Sequence, residues 1–400
     1  MFQKIAQNLR DLPGAMTISS ASSGLLAVIV GYASSVVILI QAANNSGLDR
    51  AHLSSWILAV TVGSGLCSLW LSLRYRQPII GAWSTPGAAL LVTSLAQYHY
   101  SDAIGAFLIS GLAITLLGYS RLFGRVMSRI PQPVVMGMLG GILIKFGFNI
   151  FTALPERPVM VIAMLVVFFA LRRVGFRAPT VGALVVGVLI AAVSQDIHLQ
   201  GFVPSLAVPI FTAPTFSLEA LLGLSLPLFA LALTSQNAPG QAVLQAAGYE
   251  PPIDDALVVT GIGSVLGAPF GGHGLTLAAI TAAIVAGPEA HPDKDKRYSA
   301  AVSVGIWYVI LGIFGATVVA LFAGLPAALI AVVSGLGVMS ALISSTSGAM
   351  IDPNGREGGI VALLCTAANF TLFGIGAPFW GLVFGVGVHL LMRWRTSPQE

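Results

Sequence analysis

The chain has 400 residues, of which 56% are apolar and only 8% charged, against roughly 25% charged residues in an average soluble domain. An ordinary water-soluble globule is excluded. Spanning helices of about 20 residues with short loops use about 28 residues each, so this length holds roughly 14 of them and no large extramembrane domain. The two cysteines, Cys67 and Cys365, lie inside apolar runs, which excludes a disulfide framework and a cysteine-rich metal site. The 19 basic residues exceed the 15 acidic ones, an imbalance that in a membrane protein reports topology before affinity for nucleic acid.

The first ten residues, MFQKIAQNLR, are polar and amphipathic, so no cleavable signal is expected. Apolar segments between charged or Gly/Pro-rich breaks then predict spans near 17–41, 54–73, 79–97, 103–119, 133–151, 158–171 and 179–194. The connection GFVPSLAVPIFTAPTF separates these from spans near 218–247, 256–267, 270–287, 299–322, 327–344, 358–373 and 377–394. Several are short or interrupted, and hydropathy alone would equally return ten or twelve. Charge arbitrates. With a cytoplasmic N-terminus, sixteen Lys and Arg fall on inner segments and only Arg50 and Arg157 on outer ones, a positive-inside bias that merging or splitting one span would scramble. The expected fold is an all-α polytopic membrane protein of about 14 spans, both termini cytoplasmic.

Seven spans is an odd number, so a duplicated half is inverted relative to its partner. Four motif pairs support duplication. LIQAA from Leu39 echoes VLQAA from Val243, and TVGS from Thr61 echoes GIGS from Gly261. Ile130-Pro131 with Gly140 matches Leu325-Pro326 with Gly335, and Gly175, Ala178-Pro179 and Gly182 match Gly374, Ala377-Pro378 and Gly381. Their order is preserved at offsets of 195 to 204 residues, which divides the chain into repeats at 1–200 and 215–400.

Spans 3 and 10 contain QPIIGAWSTPGAALL (77–91) and LGAPFGGHGLTLAAI (266–280), each opening on a stretch unsuited to continuous helix. Broken backbone at membrane depth is tolerated only inside protein or along a cavity, so these breaks mark a site. If helix resumes near Pro86 and near Gly274, two helix N-termini face each other near the midplane and suit a carboxylate. Ser84, Thr85, Gly87, Gly271, Gly272 and Gly274 are the candidates there. Trp83 and Phe270 flank the breaks and either sandwich an aromatic ring or simply pack. All 15 acidic residues fall in loops or at span ends, which favours an anionic or neutral substrate over a cation. His273, at the break of span 10, is the candidate for proton coupling, because histidine has an unperturbed pKa near physiological pH. Lys145 is expected to snorkel and His389 to be interfacial. The polar stretch Ser235–Gln241, read as a break in span 8, places Gln236, Asn237 and Gln241 in mid-span. Its counterpart in span 1 holds Tyr32, Ser34 and Ser35. These groups bind substrate or tie helices together.

SSASSG, QPIIGAWSTPGAALL, the Ser-Gln-Asn-Ala-Pro-Gly run and APFGGHGLTLAAITAAI together make the chain resemble the benzoate transporter (BenE) family of proton symporters over essentially its whole length. The resemblance implies benzoate uptake with protons on the 7+7 inverted-repeat architecture shared with uracil and xanthine permeases and with sulfate transporters. It implies a core domain (about 14–120 and 216–322), a gate domain (about 130–200 and 325–395) and short strands in the breaks of spans 3 and 10. The chain departs from the nucleobase permeases where their span 8 and span 10 acids would stand, near Gln236–Gln241 and His273, which argues against a nucleobase. The expected partners are benzoate or a similar aromatic carboxylate, protons and membrane lipid, in the inner membrane. The oligomeric state stays open, a homodimer being one option. A passive channel or facilitator for small anions or neutral solutes is the alternative. No nucleophile with a base partner appears in the spans, so neither an enzyme nor a cofactor or metal is expected.

Overall fold

The computed structural model describes residues 2–127, 129–176, 179–197, 203–373 and 375–394. It is mostly helical. The amphipathic α1 (Phe2–Ala15) packs Ile5, Leu12 and Ala15 on Leu69, Leu73, Tyr298 and Val302. Arg76 pairs with Asp11 at 2.8 Å, and Asn8 Nδ2 donates to the Leu73 carbonyl at 2.7 Å. Then follow α2 (Ile18–Asn45), α3 (Arg50–Tyr75), β1 (Gly81–Trp83), α4 (Thr85–Ser94), α5 (Tyr100–Ser120), α6 (Phe123–Met127), α7 (Gln132–Thr152), α8 (Pro158–Arg173) and α9 (Pro179–Val193). Asp49 caps α3, and the His52 backbone N–H holds its carboxyl below the usual carboxylate range.

In the second half, α10 (Leu218–Ala220), α11 (Leu226–Leu231) and α12 (Ala238–Ala246) form one rod with the π-helical turns Leu221–Ser225 and Ala232–Asn237. The break expected at Ser235–Gln241 is therefore absent. Each π turn ends two residues before a proline, Pro227 or Pro239. Proline lacks an N–H and its ring crowds the carbonyl four residues back, and the wider turn makes room without ending the helix. Next come α13 (Ile253–Gly267), β2 (Leu275–Leu277), α14 (Ile280–Ala286), α15 (Tyr298–Ile313), α16 (Gly315–Ala323), α17 (Ala327–Met350), α18 (Arg356–Ala367), β3 (Thr371–Leu372), β4 (Ile375–Gly376) and α19 (Ala377–Trp394). α15 and α16 meet at a 65° bend. Among the described residues seven helices are long and apolar enough to cross a membrane, or eight with that bent pair. The end of the segment expected at 358–373 is the β3–β4 hairpin instead of helix. Of the repeat-motif positions, Ala178 and Gly374 lie outside the described residues.

α3 packs on α15 and α5 on α13, while α7 packs on α17 and α18, α8 on α9, and α18 on α19. If α3 and α5 are the counterparts of α13 and α15, exchanging halves turns the first of these pairs into the second. At the centre, β1 and β2 pair antiparallel, with Gly81 opposite Leu277 and Trp83 opposite Leu275. The Ser84 N–H donates to the Gly274 carbonyl (3.1 Å) and the Ala278 N–H to the Ile80 carbonyl (2.9 Å), extending the ladder at both ends. Side chains of neighbouring elements satisfy further groups of this non-helical backbone. The Gly81 N–H donates to Ser68 Oγ (3.0 Å), the Leu275 N–H to Ser264 Oγ (2.7 Å) and the Leu277 N–H to Asn237 Oδ1 (2.9 Å). Without such partners each buried backbone group would destabilise the structure by several kcal/mol in a hydrocarbon environment, about the penalty that confines membrane-spanning chains to helices and barrels.

Candidate functional site

A cavity of about 870 Å³ borders the strand crossing. Gly31 and Ser35 of α2, Trp83 and Thr85 at the β1–α4 junction, Ser235 and Gln236 of the π turn, Ala278 to Thr281 at the start of α14, and Tyr308 of α15 form one wall. The opposite wall comes from α7, α8, α9 and α17. The cavity opens where α8 ends and α9 begins, with Arg172 and Asp352 at its mouth. Outside the lining, Thr371 Oγ1 hydrogen-bonds Gln97 Oε1 (3.0 Å), and the Gly376 N–H donates to the Tyr98 hydroxyl (3.2 Å).

The structure sorts the sequence candidates into three groups. Ser35, Trp83, Thr85 and Gln236 line the cavity, and Tyr32 is buried edge-on against Trp83, with ring centroids 5.6 Å apart. Ser84, Gly87 and Asn237 build the wall from behind. Ser84 Oγ accepts the Gly87 N–H (3.0 Å) and the Ser84 carbonyl accepts the Ala88 N–H (2.8 Å). Pro86 has no N–H, so the expected array of free donors at α4 reduces to Thr85. Asn237 donates from Nδ2 to the Ala232 carbonyl (2.9 Å) while holding β2 through Oδ1.

Phe270, Gly271, Gly272, His273, Gly274 and the part-buried Gln241 are outside the lining. Gly271 (φ 96°) and Gly274 (φ 143°) take backbone conformations open chiefly to glycine and turn the chain before β2. Helix consequently resumes at Ile280, six residues beyond the expected Gly274. Phe270 stays on the far side of that turn, packed on Phe211 with centroids 6.1 Å apart, and does not face Trp83. The side chain of Ser34 lies outside those described.

His273 is buried between two partners. The Trp56 indole N–H donates to Nδ1 (3.0 Å), and Nε2 lies 2.9 Å from the Ser84 carbonyl. A carbonyl only accepts and an indole N–H only donates, so the ring carries its single proton on Nε2. A proton on Nδ1 would point at the indole N–H. The ring thus positions the N-cap of α4, and this geometry argues against the expected role as proton carrier. Lys145 is half-buried on α7 and does not line the cavity, while His389 is buried.

Two wall groups went unnoticed in the sequence. Tyr308 sits 5.6 Å from Trp83, centroid to centroid, and nothing in the sequence around it distinguishes it from the other tyrosines. Thr281 is 5% exposed, and its hydroxyl has no hydrogen-bond partner. The buried Trp83 indole N–H also lacks one. The deep wall therefore combines aromatic faces with neutral donors, and no ionisable acid or base stands among its residues. The family model described as "Benzoate membrane transport protein" (BenE) matches residues 14–391.

The chain belongs to the BenE family. The BenE chain is 40% identical over 363 residues to "Inner membrane protein YdcO" of Escherichia coli, covering 91% of this chain and 93% of that one. It is 33% identical over 384 residues to "Benzoate membrane transport protein" of Acinetobacter baylyi, covering 96% and 98%. Among solved structures it resembles the transmembrane domain of a cyanobacterium bicarbonate transporter BicA, with TM-score 0.58, 18% identity and coverage of 94% and 96%. It also resembles SLC26A9, with TM-score 0.62, 15% identity and coverage of 98% and 68%. At such identities the structural likeness shows the fold. The BenE chain is a multi-pass membrane transport protein, not an enzyme.

Proposed function

We propose that this BenE-family chain takes up benzoate or a closely related aromatic carboxylate together with protons across the inner membrane. The supporting observation is the deep cavity wall, where Trp83 and Tyr308 offer aromatic faces beside buried donors without partners, Trp83 Nε1–H and the Thr281 hydroxyl. A flat ring gains about 0.5–1.5 kcal/mol per aromatic pair beyond its area burial. The absence of an acid on that wall suits an anion, since a cation in the membrane interior needs a paired carboxylate.

Two inverted repeats of seven segments, 1–200 and 215–400, form in this reading a core domain (14–120 and 216–322) and a gate domain (130–200 and 325–395). The cavity lies between them. Its mouth carries Arg172, beside Arg173, and the positive-inside rule assigns that end to the cytoplasm with both termini. The core and the gate then rock against each other to give the site access to one side of the membrane at a time. Proteoliposomes given labelled benzoate and an imposed pH gradient should accumulate it saturably above its equilibrium distribution. Equilibration without accumulation would establish a facilitator instead.

A further inference from the structure

His389 of α19 is 5% exposed, yet its Nδ1 has no hydrogen-bond partner. The first turn of α18 holds the ring in place, since a Cβ on Gly358 would lie 3.0 Å from His389 Cβ. Just before α18, a Cβ on Gly355 would lie 3.4 Å from His389 Nδ1, 2.9 Å from Asp352 Oδ2 and 2.8 Å from Pro133 Cγ. The ring nitrogen and the carboxylate therefore flank one carbon-sized space, with no hydrogen bond between them. Gly355 has a negative φ that other residues also adopt, so a side chain is excluded there by its neighbours and not by the turn. Asp352 Oδ1 accepts the Asn354 N–H (3.0 Å), which leaves Oδ2 to turn toward the ring. Asp352 also lines the cavity, where among the described residues it is the one carboxylate and Arg172 the one cation.

We propose that His389 and Asp352 together hold the coupling proton of this transporter, at the mouth of the cavity. The inference rests on the proton-symport reading above and gives it a carrier other than His273. Histidine is the side chain that changes charge near neutral pH. A proton on Nδ1 gives the ring a donor for Asp352 Oδ2 across the space at Gly355. Ionised Asp352 beside a neutral ring leaves a net negative charge on a cavity that is to take a carboxylate, whereas the protonated pair has no net charge. Arg172 is then the remaining charge on the lining and attracts the anion. Proton and benzoate bind cooperatively, each tightening the other by the same factor. Few other charges surround the pair. On α18, Arg356 and Glu357 pair with each other at 3.7 Å on an exposed turn, and Cys365 stands at the far end. α7 carries only Lys145, far along the helix from Pro133, and the exposed Arg129 precedes it. The π turn 221–225, α11 and β4, which also pack on α19, carry none, and Arg393 follows one turn later on α19 itself.

The test is equilibrium binding of benzoate to the purified full-length protein in detergent, read across neutral pH, where benzoate itself stays ionised. Asp352→Asn and His389→Gln keep size and remove one titrating group each. Asp352→Asn also keeps an acceptor for the Asn354 N–H and should unfold at the wild-type temperature. Wild-type affinity should fall about tenfold for each unit of rising pH above the titration of the pair, the slope of one linked proton. Asp352→Asn should flatten this dependence at the tight, low-pH affinity, and His389→Gln should flatten it at the weak, high-pH affinity. Packing damage would weaken both instead. In proteoliposomes both variants should exchange benzoate but fail to accumulate it under an imposed pH gradient. An unchanged pH slope in both variants, or an equal loss of affinity at every pH in both, would overturn the pair alone. A wild type whose benzoate binding is indifferent to pH, and which accumulates none under the gradient, would remove the symport reading itself.

Discussion

Ser84 closes the first turn of α4 through both its hydroxyl and its carbonyl, whereas no side chain caps the start of α14, where Thr281 carries an unpartnered hydroxyl. The strands that precede the two helices, β1 and β2, pair antiparallel. In the first, the polar groups are engaged in the fold: Ser84 serves α4, and the Ser84 carbonyl anchors His273, itself fixed by Trp56. In the second, the buried Thr281 hydroxyl has no partner. One segment thus has its polar groups engaged in the fold, and the other keeps a hydroxyl without a partner.

Substitutions on the two sides should separate these roles. The largest effect on stability is expected for His273→Leu, which strands the buried Trp56 N–H and removes one of the two hydrogen bonds to the Ser84 carbonyl. It should cost about 2–5 kcal/mol, read from thermal unfolding in detergent. His273→Gln restores part of that bonding, and its benzoate uptake should keep the pH dependence of the wild type. A flattened pH profile would return the coupling proton to this ring. Asn237→Leu leaves the Leu277 N–H of β2 unsatisfied and should destabilise by about 1–3 kcal/mol. Ser84→Ala removes one cap bond and should cost about 0.5–2 kcal/mol, enough to lower the unfolding temperature while benzoate binding persists. Thr281→Val should lie at the opposite end, keeping wild-type stability or raising it by up to about 1–3 kcal/mol, because no bond is lost and a buried hydroxyl without a partner is removed. A destabilisation by Thr281→Val as large as that by Ser84→Ala would erase the proposed contrast.

Much of this was legible in the residues. Apolar runs and basic clusters located the segments, since hydropathy and charge act locally along the chain. The interruptions at Gly81 to Pro86 and at Ala268 to Gly274 identified the crossing, and Trp83, Thr85, Ser35 and Gln236 do line the cavity. Phe270 was misplaced because glycines at 271, 272 and 274 allow a turn whose direction composition cannot specify. The stretch around Pro239 suggested a break, yet a π turn lets the helix continue. Tyr308 and Thr281 carried no local signal at all.

The sequence by itself determined a multi-pass helical protein, the two interrupted segments and the lack of a buried acid, because each follows from residue type and order alone. Only the tertiary structure decided which polar groups are satisfied. Hydrogen bonding depends on neighbours 40 to 217 residues away: His273 with Ser84 and with Trp56, and Asn237 with Leu277. In an interior without water a donor is either matched across such a distance or left for a ligand, and no local pattern records which.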